Sequence, residues 1–93
     1  MSKDGDVTDN RDANRYELVV DGHKAVASYT IHEGTITFTH TIVPAALGGR
    51  GVGSRLISAA LADVRARGLK VVAECPFVAR YIEKHPEYAD LLA

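Results

Sequence analysis

Val43-Pro44-Ala45-Ala46-Leu47-Gly48-Gly49-Arg50-Gly51-Val52-Gly53-Ser54 is the stretch on which the reading of this chain turns. Before it the sequence alternates like a strand; after it, Arg55 to Arg67 repeats like a helix. Clustered glycines let backbone N–H groups approach a ligand closely. A helix start adds unpaired donors and a partial positive charge. Together these make a cradle for a pyrophosphate. The same glycines also suit a plain turn ahead of an amphipathic helix, and spacing alone leaves both readings open. Two common phosphate loops fail here. A Walker loop needs Gly-Lys-Ser/Thr, and Gly53-Ser54-Arg55 has no lysine. The dinucleotide fingerprint needs a glycine at its sixth place, where the two registers give Ser54 or Leu56.

Working outward, Thr35 to Val43 has period two, with Ile36, Phe38, His40 and Ile42 on one face and threonines on the other. Two earlier segments share this period. Tyr16, Leu18 and Val20 alternate up to a tight Asp21-Gly22 turn. Ala25, Ala27, Tyr29 and Ile31 follow, up to Glu33-Gly34. Downstream, the helix gathers Val52, Leu56, Ile57, Ala60, Leu61 and Val64 on one side and stops at Gly68. Leu69 to Ala73 is a short apolar strand, and Pro76 suits the first position of a second helix ending near His85-Pro86. Strand–helix–strand connections are right-handed, so the fourth strand should lie parallel to the third. The expected fold class is therefore α/β with a mixed sheet. An antiparallel three-strand meander leads into a strand-helix-strand-helix run, with strands three and four parallel.

Residues 1–14 carry Asp4, Asp6, Asp9 and Asp12 among small polar residues, with too little apolar surface to offset ordering. They are expected to form a disordered tail before a single domain over residues 15–93. The net charge of −1 and the lack of a basic run give no footprint for nucleic acid. No apolar run approaches the ~20 residues of a membrane helix, and the acidic N-terminus is unlike a signal peptide. A single cysteine, Cys75, fits a reducing compartment. The expected location is cytoplasmic.

Cys75 precedes the second helix, where the helix end stabilises a thiolate, although a lone cysteine is more commonly packed inside. It ends the strand parallel to the one carrying His40. On that alternation the two should face each other across the gap as a Cys–His pair, a nucleophile beside a base. Arg50 opposes the helix dipole unless an anion is present. His23, His32 and His85 show no metal-ligand spacing, and no metal is expected.

The register Gly48-Gly49-Arg50-Gly51-Val52-Gly53 resembles motif A of the GNAT superfamily of acyl-CoA N-acyltransferases, Arg/Gln-x-x-Gly-x-Gly/Ala, with Gly48 in place of Arg or Gln. His40-Thr41-Ile42-Val43-Pro44, then Cys75-Pro76-Phe77-Val78, Tyr81-Ile82 and His85-Pro86-Glu87-Tyr88 extend the resemblance to minimal single-domain GNAT-like proteins. It covers about Tyr16 to Leu92.

The resemblance implies acetyl-CoA or coenzyme A as cofactor. Its pyrophosphate would lie on the amides of Gly49, Arg50, Gly51, Val52 and Gly53, with Gly48 and Ser54 adjoining. The pantetheine arm would run beside Ile42 and Val43, with the Val43 N–H offered to the thioester oxygen. Cys75, Phe77 and Tyr81 would stand beside the cofactor, Tyr81 as a proton donor to the leaving thiolate or as core. Full-size members insert helices between their first two strands. Asp21-Gly22 leaves no room for them, so the acceptor side should be open, suiting an amine on a protein tail. The expected function is an acyl-CoA-dependent N-acyltransferase, acting on a primary amine such as a lysine or N-terminus, as a monomer or weak dimer. A non-catalytic CoA-binding or sensing module is the alternative, and a small interaction domain is the third reading.

Overall fold

The computed structural model describes residues 6–93. One five-stranded sheet runs β1 (Val7–Asn10), β2 (Arg15–Val20), β3 (His23–His32), β4 (Thr35–Ile42) and β5 (Lys70–Ala73), in spatial as in chain order. The first four strands are antiparallel neighbours. β5 pairs parallel to β4 in the register Ile36↔Val71 and Phe38↔Ala73. The α/β class, the mixed sheet and the parallel pair hold as expected.

The strand count does not. The meander has four strands, because Val7–Asn10, expected in the disordered tail, pairs with β2 from Val7↔Leu18 to Asn10↔Arg15. Polar contacts hold this strand, which is why apolar content gave no sign of it. The Tyr29 hydroxyl donates to the Asp9 carboxylate, and Arg67 reaches Asp9 at 3.1 Å. The first five residues of the expected tail lie outside the described residues. Tight turns at residues 11–14 and 21–22 join the first three strands, with no helix between them.

α1 (Val52–Ala66) crosses one face of the sheet, and α2 (Pro76–Lys84) packs beside it. The apolar side of α1 is buried as its period requires: Val52, Leu56, Ile57, Ala60, Leu61 and Val64 meet Tyr16, Leu18, Ala27, Tyr29, Ile36 and Phe38 in a single core. Each large aliphatic side chain buried this way is worth about 1.5–3 kcal/mol. α2 adds Val78 and Ile82, and a 3-10 turn at Pro86–Leu91 packs Leu91 back onto the core. Leu92 then bridges Val71, so the edge of β5 is partly covered.

Candidate functional site

The site begins where β4 and β5 part. Their last paired residues are Phe38 and Ala73, and the Phe38 carbonyl then accepts from both Glu74 N (3.1 Å) and Cys75 N (2.9 Å). Beyond that point β4 continues against β3 alone, while the other chain turns into α2. A bulge drives the parting. The β3 register steps from Tyr29↔Phe38 to Ser28↔His40, leaving Thr39 extra. An extra residue bends and twists a strand, and here it opens a wedge between the parallel pair.

The bulge also corrects an expectation. Paired residues share a sheet face, so Ala27↔Thr41 places Thr41 on the core side with Ala27, while His40 follows Ser28 to the other side. His40 is exposed, and its Nδ1 lies 3.1 Å from the hydroxyl of Thr39. Cys75 is buried at the start of α2, and its sulfur is 3.2 Å from the Thr41 hydroxyl. Strict alternation expected Cys75 to face His40; the slip puts Thr41 there instead. Ile42, by the same inversion, is 60% exposed, and Val43 is half-buried at the wedge mouth.

From the wedge the chain passes Pro44 and a 3-10 turn, Ala45–Leu47, whose Leu47 is buried as an anchor. The glycine loop follows. Gly49 and Gly51 adopt φ of 76° and 71°, a left-handed conformation that side chains tolerate poorly. Gly51 is the N-cap of α1 and offers no side-chain cap; no acidic residue occupies the first turn. The first amide of this region with a backbone acceptor is Arg55 N, on Gly51 O at 3.1 Å. The amides of Gly49, Arg50, Gly51, Val52, Gly53 and Ser54 make no backbone hydrogen bond of good geometry among the described residues, only the weaker contacts of a turn over residues 48–51. A helix start left this way carries its partial positive charge uncompensated.

Each loop glycine has its own reason. Gly53 is a packing glycine: a Cβ there would lie 2.7 Å from Phe77 Cζ, so the Phe77 ring rests against α1 where that atom is missing. Gly48 has φ −60° and needs no glycine for its conformation. The loop, Val43 and Phe77 line a groove of about 230 Å³. Arg50 points across to Asp21, with Nη1–Oδ2 2.6 Å, both partly exposed. Its charge is shared with that carboxylate in an exposed pair, of the kind worth about 0–1 kcal/mol. Tyr81 stacks on His85 with ring centroids 4.1 Å apart and lines a second cleft together with Ser54 and Phe77. Among the described residues no group of three His, Cys, Asp or Glu is placed to hold a metal ion. None of the described helices is long and apolar enough to cross a membrane.

A cradle of unpaired amides beside a wedge between parallel strands is what the sequence motif led one to expect, and the family model for GCN5-related N-acetyltransferases matches residues 15–91. The chain belongs to that family. An NMR solution structure of a GCN5-like candidate N-acetyltransferase from Staphylococcus aureus has the same architecture. It is 27% identical, with a TM-score of 0.75, and the alignment covers 99% of this chain and 91% of that one. No curated protein matches the chain. The family read from the glycine register therefore holds, and N-acetyl transfer is the activity its membership indicates.

Sequence reasoning missed Thr41, the neighbour of Cys75, and the cationic side of α2, where Arg80 and Lys84 line the cleft with Tyr81. Nothing in the alternation of Thr35 to Ile42 marks the bulge. The spacing of Arg80 and Lys84, one helical turn apart, was visible.

Proposed function

We propose that the chain transfers an acetyl group from acetyl-CoA to a primary amine, such as a protein lysine or N-terminus. The observation that carries this reading is the run of unpaired amides from Gly49 to Ser54 opening beside the β4/β5 wedge. A diphosphate is the ligand chemistry that suits several N–H donors at a positive helix end. Each such contact contributes about 0.3–1 kcal/mol when exposed. Summed with the pantetheine arm along Ile42 and Val43, they suffice for micromolar binding, which needs about 8 kcal/mol.

Acetyl-CoA is here a substrate, and it supplies an activated thioester. The chain's part is to hold it and to orient donors: the Val43 N–H toward the carbonyl oxygen, where developing negative charge is best met. The amine nitrogen forms its bond to the carbonyl carbon, the carbon–sulfur bond breaks, and the amine's proton leaves as the CoA thiolate gains one. Tyr81 is placed beside Ser54 and Phe77 as a candidate donor for that proton. Cys75 is the candidate for a relay, in which its sulfur takes the acetyl group before the amine does. The Thr41 hydroxyl is the group that touches that sulfur.

A non-catalytic CoA-binding module remains the second reading, favoured by one finding: His40, the expected base, is turned away from Cys75. Incubation with acetyl-CoA and an amine library, read by mass spectrometry, separates the two. Transfer is expected; binding without transfer to any amine would leave the module. Cys75→Ala sharpens the mechanism: transfer at the wild-type rate would exclude the relay and keep direct attack.

A further inference from the structure

This inference rests on the acyl-CoA reading and deepens it. Past Ser54 and Phe77, a cleft of about 260 Å³ lies between the start of α1 and the side of α2, lined further by Arg80, Tyr81 and Lys84. Ser54 and Phe77 also line the glycine groove, so the two spaces adjoin. A ligand seated on the loop therefore lies next to the cleft.

The charges in that cleft are unusual for this molecule. Arg15, Arg50, Arg65 and Arg67 all pair with carboxylates. Arg80 and Lys84 have no ion-pair or hydrogen-bond partner among the described residues. The nearest acids in sequence do not serve them. Glu83 lines a different groove, beside Pro86, and Glu87 stands 3.7 Å from His85. Like charges at i and i+4 on a helix repel each other. Lys84, in the last turn, gains from the helix dipole, but Arg80 at mid-helix does not. Two unneutralised cations thus flank the exit of a groove built for phosphate. The groove on the other side of Ser54, by contrast, carries both Asp6 and Arg55, so its charge is mixed.

Coenzyme A differs from its dephospho form by one phosphate monoester on the ribose, close to the diphosphate. That group carries about −1.5 to −2 charges near pH 7. A planar guanidinium fork and a mobile ammonium are the two side-chain types that bind such a group. We propose that Arg80 and Lys84 hold the ribose phosphate of coenzyme A and make the chain select CoA over dephospho-CoA.

The test is calorimetric titration of the full chain with CoA and with dephospho-CoA, for the wild type and for Arg80→Gln/Lys84→Gln. Wild type is expected to bind CoA about tenfold more tightly, as two partly exposed charge-assisted contacts allow. The gap should narrow with added salt. In the double variant the preference should fall to about twofold or less. Lys84→Gln alone should halve the preference at least; Arg80 and Lys84 are both exposed, so neither substitution disturbs the core. Equal wild-type affinities for the two ligands would overturn this assignment and leave the acyl-CoA reading standing. Absence of binding by either ligand would overturn that underlying reading too.

Discussion

The two ends of α1 treat their polar groups in opposite ways. At the C-terminal end the Tyr16 hydroxyl donates to Asp63 at 2.6 Å, Tyr29 donates to Asp9, and Arg67 links Asp9 with Asp63. These residues come from β1, β2, β3 and α1, so the cluster ties the edge strand to the core. Among the described residues no buried side-chain nitrogen or oxygen lacks a partner. At the N-terminal end a row of backbone amides makes no hydrogen bond of good geometry among the described residues. Satisfied groups hold a fold together; donors left open are available for something else. The contrast assigns stability to one end of the helix and, on the function proposed above, binding to the other.

The largest effect is expected at the open end. Gly53→Val drives a branched side chain into the ring of Phe77, where a Cβ alone is already at 2.7 Å. Overpacking of this kind costs about 1–3 kcal/mol. Because the Phe77 ring must shift and it lines the groove, acetyl-CoA binding should weaken more than tenfold; urea midpoints and calorimetry together check this. Loss of stability with unchanged affinity would break the link between that glycine and the groove.

Tyr16→Phe is the converse probe. It removes the hydroxyl donated to Asp63, with an expected loss of about 1 kcal/mol, since the carboxylate stays partly hydrated. Affinity for acetyl-CoA should not move. The same cluster fixes the alkaline limit. Burial, then the hydrogen bond to Asp9, pushes Tyr29 up to about 12; burial, then Asp63, raises Tyr16 further. A phenol raised in the folded state contributes stability that is complete below its ordinary value of 10.0 and lost as pH climbs through the folded value. Unfolding free energy should therefore fall from about pH 10 to 12, and less steeply in Tyr29→Phe.

On the acid side the signal is Glu17. Burial alone would raise its carboxyl, but bonds from Arg15 and Asn10 and the charge of Lys24 outweigh that and leave it lowered. Its contribution is present above the ordinary 4.5 and lost as pH falls through the lowered value. Glu17→Gln should flatten denaturant midpoints measured over that acid window. The smallest effect is expected from Gly48→Gln. The position has φ −60°, and a Cβ meets only the Ala45 carbonyl at 3.2 Å. Stability should change by about 0.5 kcal/mol or less, and an added amide beside the groove should tighten binding a few-fold.

Much of this contrast was legible in the sequence, because local chemistry writes it. Period-two runs ending in Asp21-Gly22 and Glu33-Gly34 specify hairpins, and Gly48 to Gly53 before a helix specifies a glycine-rich start with no side-chain cap. Other features were not legible because they depend on distant partners. β1 has one aliphatic residue, Val7, and is held through Asp9 by Tyr29 and Arg67, which stand 20 and 58 positions away. The bulge at Thr39 hides inside an unbroken Thr/apolar alternation. One extra residue there swaps His40 for Thr41 at Cys75, since a slip of one reverses every face beyond it.

Amide chemical shifts during a titration with acetyl-CoA test the central claim most directly. The account expects Gly49 to Ser54 to shift and saturate together, while the amides of Asp9, Tyr16 and Tyr29 stay where they are. Loop signals that hold still while the thioester is added, or shifts confined to the tyrosine cluster, would contradict it.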